Sequence, residues 1–380
     1  MLALSLAVAF AVAPPSTTAP LSAPQAALAI HVDRIVQPDG TLGAGGWILI
    51  RGGRLEAVGA AAAPAGVATL EIPGGVAAPG FIDPVTSLGA AGDLSEPARA
   101  FTPEVNGGDA FRAADLDFLR AARGGITTVG VAPGTTNLVD GVVAIVRTHG
   151  DRGGAQLGGS GPMRLTLTDD AFDPSRVPTS RMGALPKLRQ LTQADSEVLG
   201  RGPVLLVDAE SPDQVRIALE TLGPSGHLIA LMRPRQSDDT LALLHGKNAL
   251  AVLGPFDLDT SERELGFLGA LTDAGTGVAF TAAGHPGALR LTAALAVRAG
   301  MKPERAMQSL TTIPARILGV EGDSATLEAG KRGDVVVFDG DPLDLSSRVK
   351  LVLIGGTVVE LRSDVDSGSA RDDHSGRAHP

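Results

Sequence analysis

The chain has 380 residues, a net charge of −10 with scattered Lys and Arg, and no Cys. These features exclude a disulfide framework, a thiolate metal site and a cysteine nucleophile, and they argue against a nucleic-acid partner, which needs clustered basic residues. With 44% hydrophobic but only 3% aromatic residues, the chain can bury a large core made of Ala, Val, Leu and Ile, and 49 Gly with 26 Pro predict many short turns.

Leu2 to Val12 is an apolar run of signal-peptide length, and Ala11-Val12-Ala13 fits the small-x-small cleavage rule. No Lys or Arg precedes the run, and Pro14 follows it. Two expectations stand: an exported protein, periplasmic or extracellular, or a cytoplasmic one with a disordered start. The run is too short to span a membrane, and no other stretch is a candidate. Residues 14–27, rich in Pro, Ser, Thr and Ala, read as a linker, so 1–27 form a leader and linker.

"WILIRGGRLEAVG" (47–59) reads as two strands around Gly52-Gly53, and "ATLEIPGGVAAPGFID" (68–83) adds strand punctuated by Gly and Pro. From there strands alternate with helices. "ITTVGVAP" is a strand, and so is "PVLLVDA" (203–209). In the helix that follows, Ser211 is the predicted N-cap, Pro212 sits at N1 and Gln214 completes a capping box. "HLIALM" precedes a helix from about Ser237. "ALAVLGP" precedes a helix closed by Gly275, and "GVAFTAAG" one closed by Gly300. Such alternation needs a parallel sheet covered by helices, as a (β/α) barrel or a doubly wound sheet. "DVVVFDG" (334–340) and "VKLVLIGGTVVE" (349–360) return to strand, and the last stretch is polar.

The β-rich ends bracket an α/β middle. The predicted class is α/β: a TIM-like (β/α) barrel over 79–319, with a composite β-sandwich domain from 28–78 and 320–363 and a disordered tail over 364–380. No internal repeat is visible.

This bracketing, with several stretches, resembles the amidohydrolase superfamily, nearest its imidazolonepropionase-like branch, over most of residues 30–362. "GGVAAPGFID" is similar to the family's approach to its first barrel strand. "AARGGITTVGVAPGTTNLVDGVVAIVRTHG" is similar to its second strand and following loop. Thr311, Pro314, Ala315, Leu318 and Gly319 match its late helices, and Gly330, Lys331 and Asp334 match the turn back into the β domain. The resemblance implies C–N bond hydrolysis, often of cyclic amides, with zinc or another divalent metal that polarises a carbonyl and activates water.

The family's His-x-His, two rings on one strand face, falls here on Val85 and Ser87. Its mid-barrel His falls on Asp208, and its last-strand Asp on Ala283 or Gly284. Its bridging Lys has no clear counterpart, since Lys187 and Lys247 lie in helical or turn contexts. A tight site needs three or four converging ligands. The residues therefore predict no cofactor and a lost metal site.

The pocket candidates that remain are Asp83, Asp208, Glu210 and His285. Asp83 is a pocket carboxylate or a turn cap before Pro84. Asp208 and Glu210 alternate on one side, as an acid/base pair at the barrel mouth or as solvated residues before Ser211. His285 follows the last strand, as a base, a ligand donor or a plain loop residue. Glu104 and Asn137 are candidate substrate contacts, Glu104 also a structural anchor in the loop that carries Asp109. The loop 132–141 can cradle an anion through its N–H groups, or is simply a turn with left-handed residues at Gly134 and Asn137. Two readings follow: a non-catalytic family member that binds a small molecule or pairs, as homo- or hetero-oligomer, with an active relative; or a working hydrolase with an atypical site.

Overall fold

The computed structural model describes residues 27–63, 65–90, 94–150, 153–193, 198–199, 202–362 and 366–367. The expected leader and linker, except residue 27, lie outside these, as does the expected tail except for 366–367.

Four strands open the chain: β1 (Leu28–Val36), β2 (Leu42–Arg51), β3 (Arg54–Ala60) and β4 (Ala68–Pro79). Gly52 and Gly53 have φ of 56° and 77°, the left-handed pair that a tight hairpin turn demands. The barrel wall then begins with β5 (Phe81–Thr86), α1 (Leu116–Arg123) and β6 (Ile126–Val131). It continues through β7 (Val139–Arg147), β8 (Gln156–Thr166), α2 (Arg181–Leu191) and β9 (Val204–Asp208). Next come α3 (Pro212–Leu222), β10 (Leu228–Met232), α4 (Asp238–Leu244), β11 (Ala249–Leu253), α5 (Glu262–Asp273) and β12 (Gly277–Phe280). Three helices follow, α6 (Gly287–Arg298), α7 (Pro303–Leu310) and α8 (Thr312–Leu318). The chain returns through β13 (Val335–Phe338), β14 (Val349–Ile354), β15 (Thr357–Leu361) and the two-residue β16 (Asp366–Ser367).

Both chain ends share one sheet, in the order β15-β14-β13-β4-β1-β2-β3, with β16 also on β4. Its strands join in one hydrogen-bonded sheet, and its apolar face packs Ile30, Ile48, Leu55, Ile72, Val335 and Leu351 into a cluster of its own.

The second sheet runs β12-β11-β10-β9-β8-β7-β6-β5, and β12 comes back into contact with β5, so the wall nearly closes. The sequence predicted an all-parallel wall. The structure departs from that at β7, which is antiparallel to both β6 and β8. Segment 132–141 and its continuation, read from sequence as a loop after the second strand, are thus half loop and half strand. The remaining neighbours are parallel. The predicted capping box holds: Ser211 accepts from the Gln214 N–H, and the Gln214 side chain accepts from the Ser211 N–H at 2.9 Å.

Alternation sorts the wall residues. Leu205 and Val207 join the layer under the helices, while Val204 and Leu206 join an inner cluster with Ile82, Val143, Ile145, Ala230 and Val252. Ala315, Ile317 and Leu318 of α8 belong to that inner cluster. Arg147, two residues beyond Ile145 on the reversed strand, is buried at the opposite end from the strand C-termini. Its guanidinium donates to Thr128 Oγ1, to Ser324 Oγ at 3.1 Å and to Asp334 Oδ2 at 3.4 Å. Asp334, the motif carboxylate of the return turn, also accepts from the Gly355 N–H at 2.7 Å. That motif therefore fastens the composite sheet to the barrel floor. Among the described residues no helix is long and apolar enough to cross a membrane.

Candidate active site at the barrel mouth

The C-terminal strand ends define the mouth. Asp208 ends β9 two residues after inward-facing Leu206, so it faces the bore. Leu165 of β8 packs outward, which leaves Arg164 and Thr166 facing inward beside it. Val85 belongs to the inner cluster, and Ser87 follows at the same parity. A Cβ on Gly284 would lie 3.2 Å from Ser87 Oγ. The positions matching the family's first and last ligands are thus neighbours here, but they carry an alkyl group, a hydroxyl and a glycine. Ala283 and Gly284 have φ of 46° and 90°, a left-handed pair that turns the chain away just past β12.

Asp208 is 1% exposed and holds no free oxygen edge. Arg164 grips it in two bonds, Nε to Oδ2 at 2.8 Å and Nη2 to Oδ1 at 3.0 Å, and spends Nη1 on the Pro133 carbonyl at 2.6 Å. Burial pulls the Arg164 guanidinium down, but attraction to Asp208 and the bonds between them hold it above its ordinary value. The expectation that Asp208 is a solvated residue before the Ser211 cap is corrected: its inward parity buries it. Arg233 touches both Asp208, at 3.8 Å, and the half-exposed Glu210, at 3.3 Å, so these two carboxylates do lie on one side.

The loop 132–141 turns its Asn137 N–H onto a carboxyl of its own, that of Asp140. Asp140 is buried; its Oδ1 accepts from the Asn137 N–H at 2.8 Å and its Oδ2 from Thr166 Oγ1 at 2.7 Å. Burial pushes the Asp140 carboxyl up to about 7, against those two hydrogen bonds. Asn137 has no spare group for a substrate. Its amide donates to the Glu96 carbonyl at 2.9 Å and Thr102 Oγ1 at 2.8 Å, and accepts from Arg176 at 2.6 Å. The predicted left-handed turn is also corrected. Neither Gly134 nor Asn137 has positive φ; Gly141 does, at 129°. Glycine stands at 134 because a Cβ there would meet Ser95 Oγ at 2.1 Å.

Asp83 is fully buried rather than open to a pocket. It accepts from the Val85 N–H at 3.3 Å and, across the barrel seam, from the Ala282 N–H at 3.1 Å. Thr281 Oγ1 closes the same seam by donating to the Val85 carbonyl at 2.6 Å. Burial pushes the Asp83 carboxyl up to about 7. Glu104 is exposed and paired with Arg99, and its own backbone N–H, then Arg99, hold its carboxyl below the usual range. His285 is exposed, and only its backbone is bonded, to Ala282 and Ala288.

Asp140, Arg164 and Arg233 form the mouth's charge network with Asp208, and sequence reasoning passed over all three. The available signal was a lone Arg in the apolar run "PMRLTL" (162–167), since a strand buries an arginine only with a carboxylate partner.

A divalent ion does not fit these residues. Of the positions that match the family's ligands, only Asp208 carries a ligating group, and a guanidinium takes both its oxygens. Among the described residues no three His, Asp or Glu side chains are grouped as a metal requires.

The amidohydrolase family model matches residues 244–359. No curated protein matches the chain. Among solved structures, an amidohydrolase from Thermotoga maritima aligns at 22% identity over 88% of this chain and 100% of its own, with a TM-score of 0.76. A molinate hydrolase aligns at 15% identity over 88% and 95%, TM-score 0.57. The ochratoxinase of A. niger aligns at 14% over 89% and 96%, TM-score 0.52. The resemblance to the amidohydrolase superfamily thus holds in sequence over the last barrel strands and the return, and in fold over most of the chain.

Proposed function

We propose, from the premise of an amidohydrolase-superfamily chain, that this protein has lost its metal-dependent hydrolase site and serves as a non-catalytic scaffold or small-molecule-binding protein. The observation that carries this is the Arg164–Asp208 pair. A guanidinium already neutralises the one carboxylate left at a ligand position. Asp140 and Asp83 do not replace it, because Asp140 is committed to the Asn137 N–H and the Thr166 hydroxyl, and Asp83 to the Val85 and Ala282 N–H groups. Without a Lewis acid, a neutral amide carbonyl at the mouth would face the Arg233–Glu210 pair, which orients a polar ligand.

The competing reading is an active hydrolase of carbon–nitrogen bonds in cyclic amides, using Asp208, Glu210 and His285. Metal analysis of the purified chain separates the two. The scaffold reading expects metal far below one equivalent and a melting temperature indifferent to chelator. Near-stoichiometric zinc, removed by chelator together with hydrolysis of a lactam, establishes the hydrolase instead.

A further inference from the structure

The barrel floor holds a cavity of about 240 Å³ beneath the N-terminal ends of β10, β11 and β12, walled by α5, α7 and α8. Three cations line it from three separate elements: Lys247 from the turn after α4, Arg305 from α7 and Arg316 from α8. Its lining includes Asn248, Thr276 and Gln308 but no Asp or Glu. Among the described residues, none of the three cations has an ion pair. Among the described residues the Arg305 guanidinium donates only to Gln308 Oε1, at 3.1 Å, and that amide is itself tied to the Asp39 carbonyl at 2.8 Å. Three cations around a lining that holds no carboxylate give the cavity a positive local potential, which favours an external anion.

A second observation is independent of charge. Thr276 lines the same cavity and is 3% exposed, yet its Oγ1 has no hydrogen-bond partner. A buried hydroxyl without a partner carries a desolvation cost and calls for an explanation. An oxyanion in the cavity supplies one.

We propose that this floor cavity binds a small phosphate-bearing anion, with Lys247, Arg305 and Arg316 around its oxygens and Thr276 donating from the wall. Phosphate suits the arrangement better than carboxylate. The donors come from three separate elements, and a tetrahedral group has an oxygen for each, whereas a carboxylate presents one planar edge. The site lies at the opposite end of the barrel from the mouth and stands whether or not the mouth is catalytic.

Calorimetric titration of the full chain with inorganic phosphate, and separately with glycerol phosphate, tests this. Saturable one-to-one binding is expected, weakened about tenfold or more by Arg316→Ala and by Arg305→Ala, both exposed positions that leave the core intact. Thr276→Val is expected to weaken binding while leaving the melting temperature unchanged or higher, which a purely structural threonine would not do. Tighter binding of the monoester identifies an organic phosphate as the ligand; equal binding identifies the free ion. No saturation by either probe, or an affinity indifferent to both arginine variants, overturns the proposal.

Discussion

Arg164 and Asp208 face each other across adjacent parallel strands and share two hydrogen bonds, of 2.8 and 3.0 Å, in a setting where both side chains are less than a tenth exposed. Breaking such a pair from one side strands a buried charge, which costs about 3–5 kcal/mol. Arg164→Ala should therefore destabilise the fold by about that amount in urea unfolding. Arg164→Met with Asp208→Leu removes both charges and should recover most of the loss. A double variant as unstable as the single one would show that the pair is not the source.

Asp83 gives the protein a pH dependence of definite sign. Its carboxyl is raised by burial from the ordinary 3.8 to about 7. Between those values the native state holds more protons than the unfolded chain. Its contribution to stability is therefore complete below the lower value and is lost as pH rises through the upper one. Asp140 acts in the same direction. Asp83→Asn should flatten part of the decline in melting temperature between about pH 4 and pH 7. Equal slopes in the variant and the parent would remove Asp83 from the account.

Asp334 is the hinge pin between the sheets. Asp334→Ala deprives both Arg147 and the Gly355 N–H of their acceptor. The expected cost is about 3 kcal/mol, with Arg147 left buried and Asp323, at 3.6 Å, its one remaining carboxylate among the described residues. Arg147→Met should cost less, because Asp334 keeps Gly355. Denaturant midpoints of the two variants give the comparison.

The α3 capping box makes a smaller and cleaner prediction. Ser211→Ala removes the acceptor for the Gln214 N–H and should cost about 1 kcal/mol. Asn at the same position should restore most of it. No loss in thermal unfolding would mean that Gln214 alone caps the helix.

The strand–helix alternation from β9 to α6 was legible because each strand is a short apolar run and α3, α4 and α5 each start on a capping serine. Ser211 with Gln214 and Ser261 with Glu264 are both complete capping boxes. The β7–β8 pair was not legible. "QLGGSG" (156–161) has no apolar alternation, and its strand character comes from pairing with β7. That Val85, Ser87 and Gly284 carry neither an imidazole nor a carboxylate could be read directly. What fills the mouth could not, because Arg164 and Asp208 are distant in sequence and meet only through sheet register. Asp83 and Asn137 looked like pocket groups because sequence gives residue type and not solvent access.

The reversal of β7 has a consequence for how the wall moves. No helix crosses over between β6, β7 and β8 among the described residues, so the early half of β8, Gln156–Ser160, is open to water while Pro162–Thr166 is buried. Amide protons should exchange quickly in the first half and slowly in the second. Arg164 sits in the slow half, so the wall can breathe at its floor end without loosening the lock at the other.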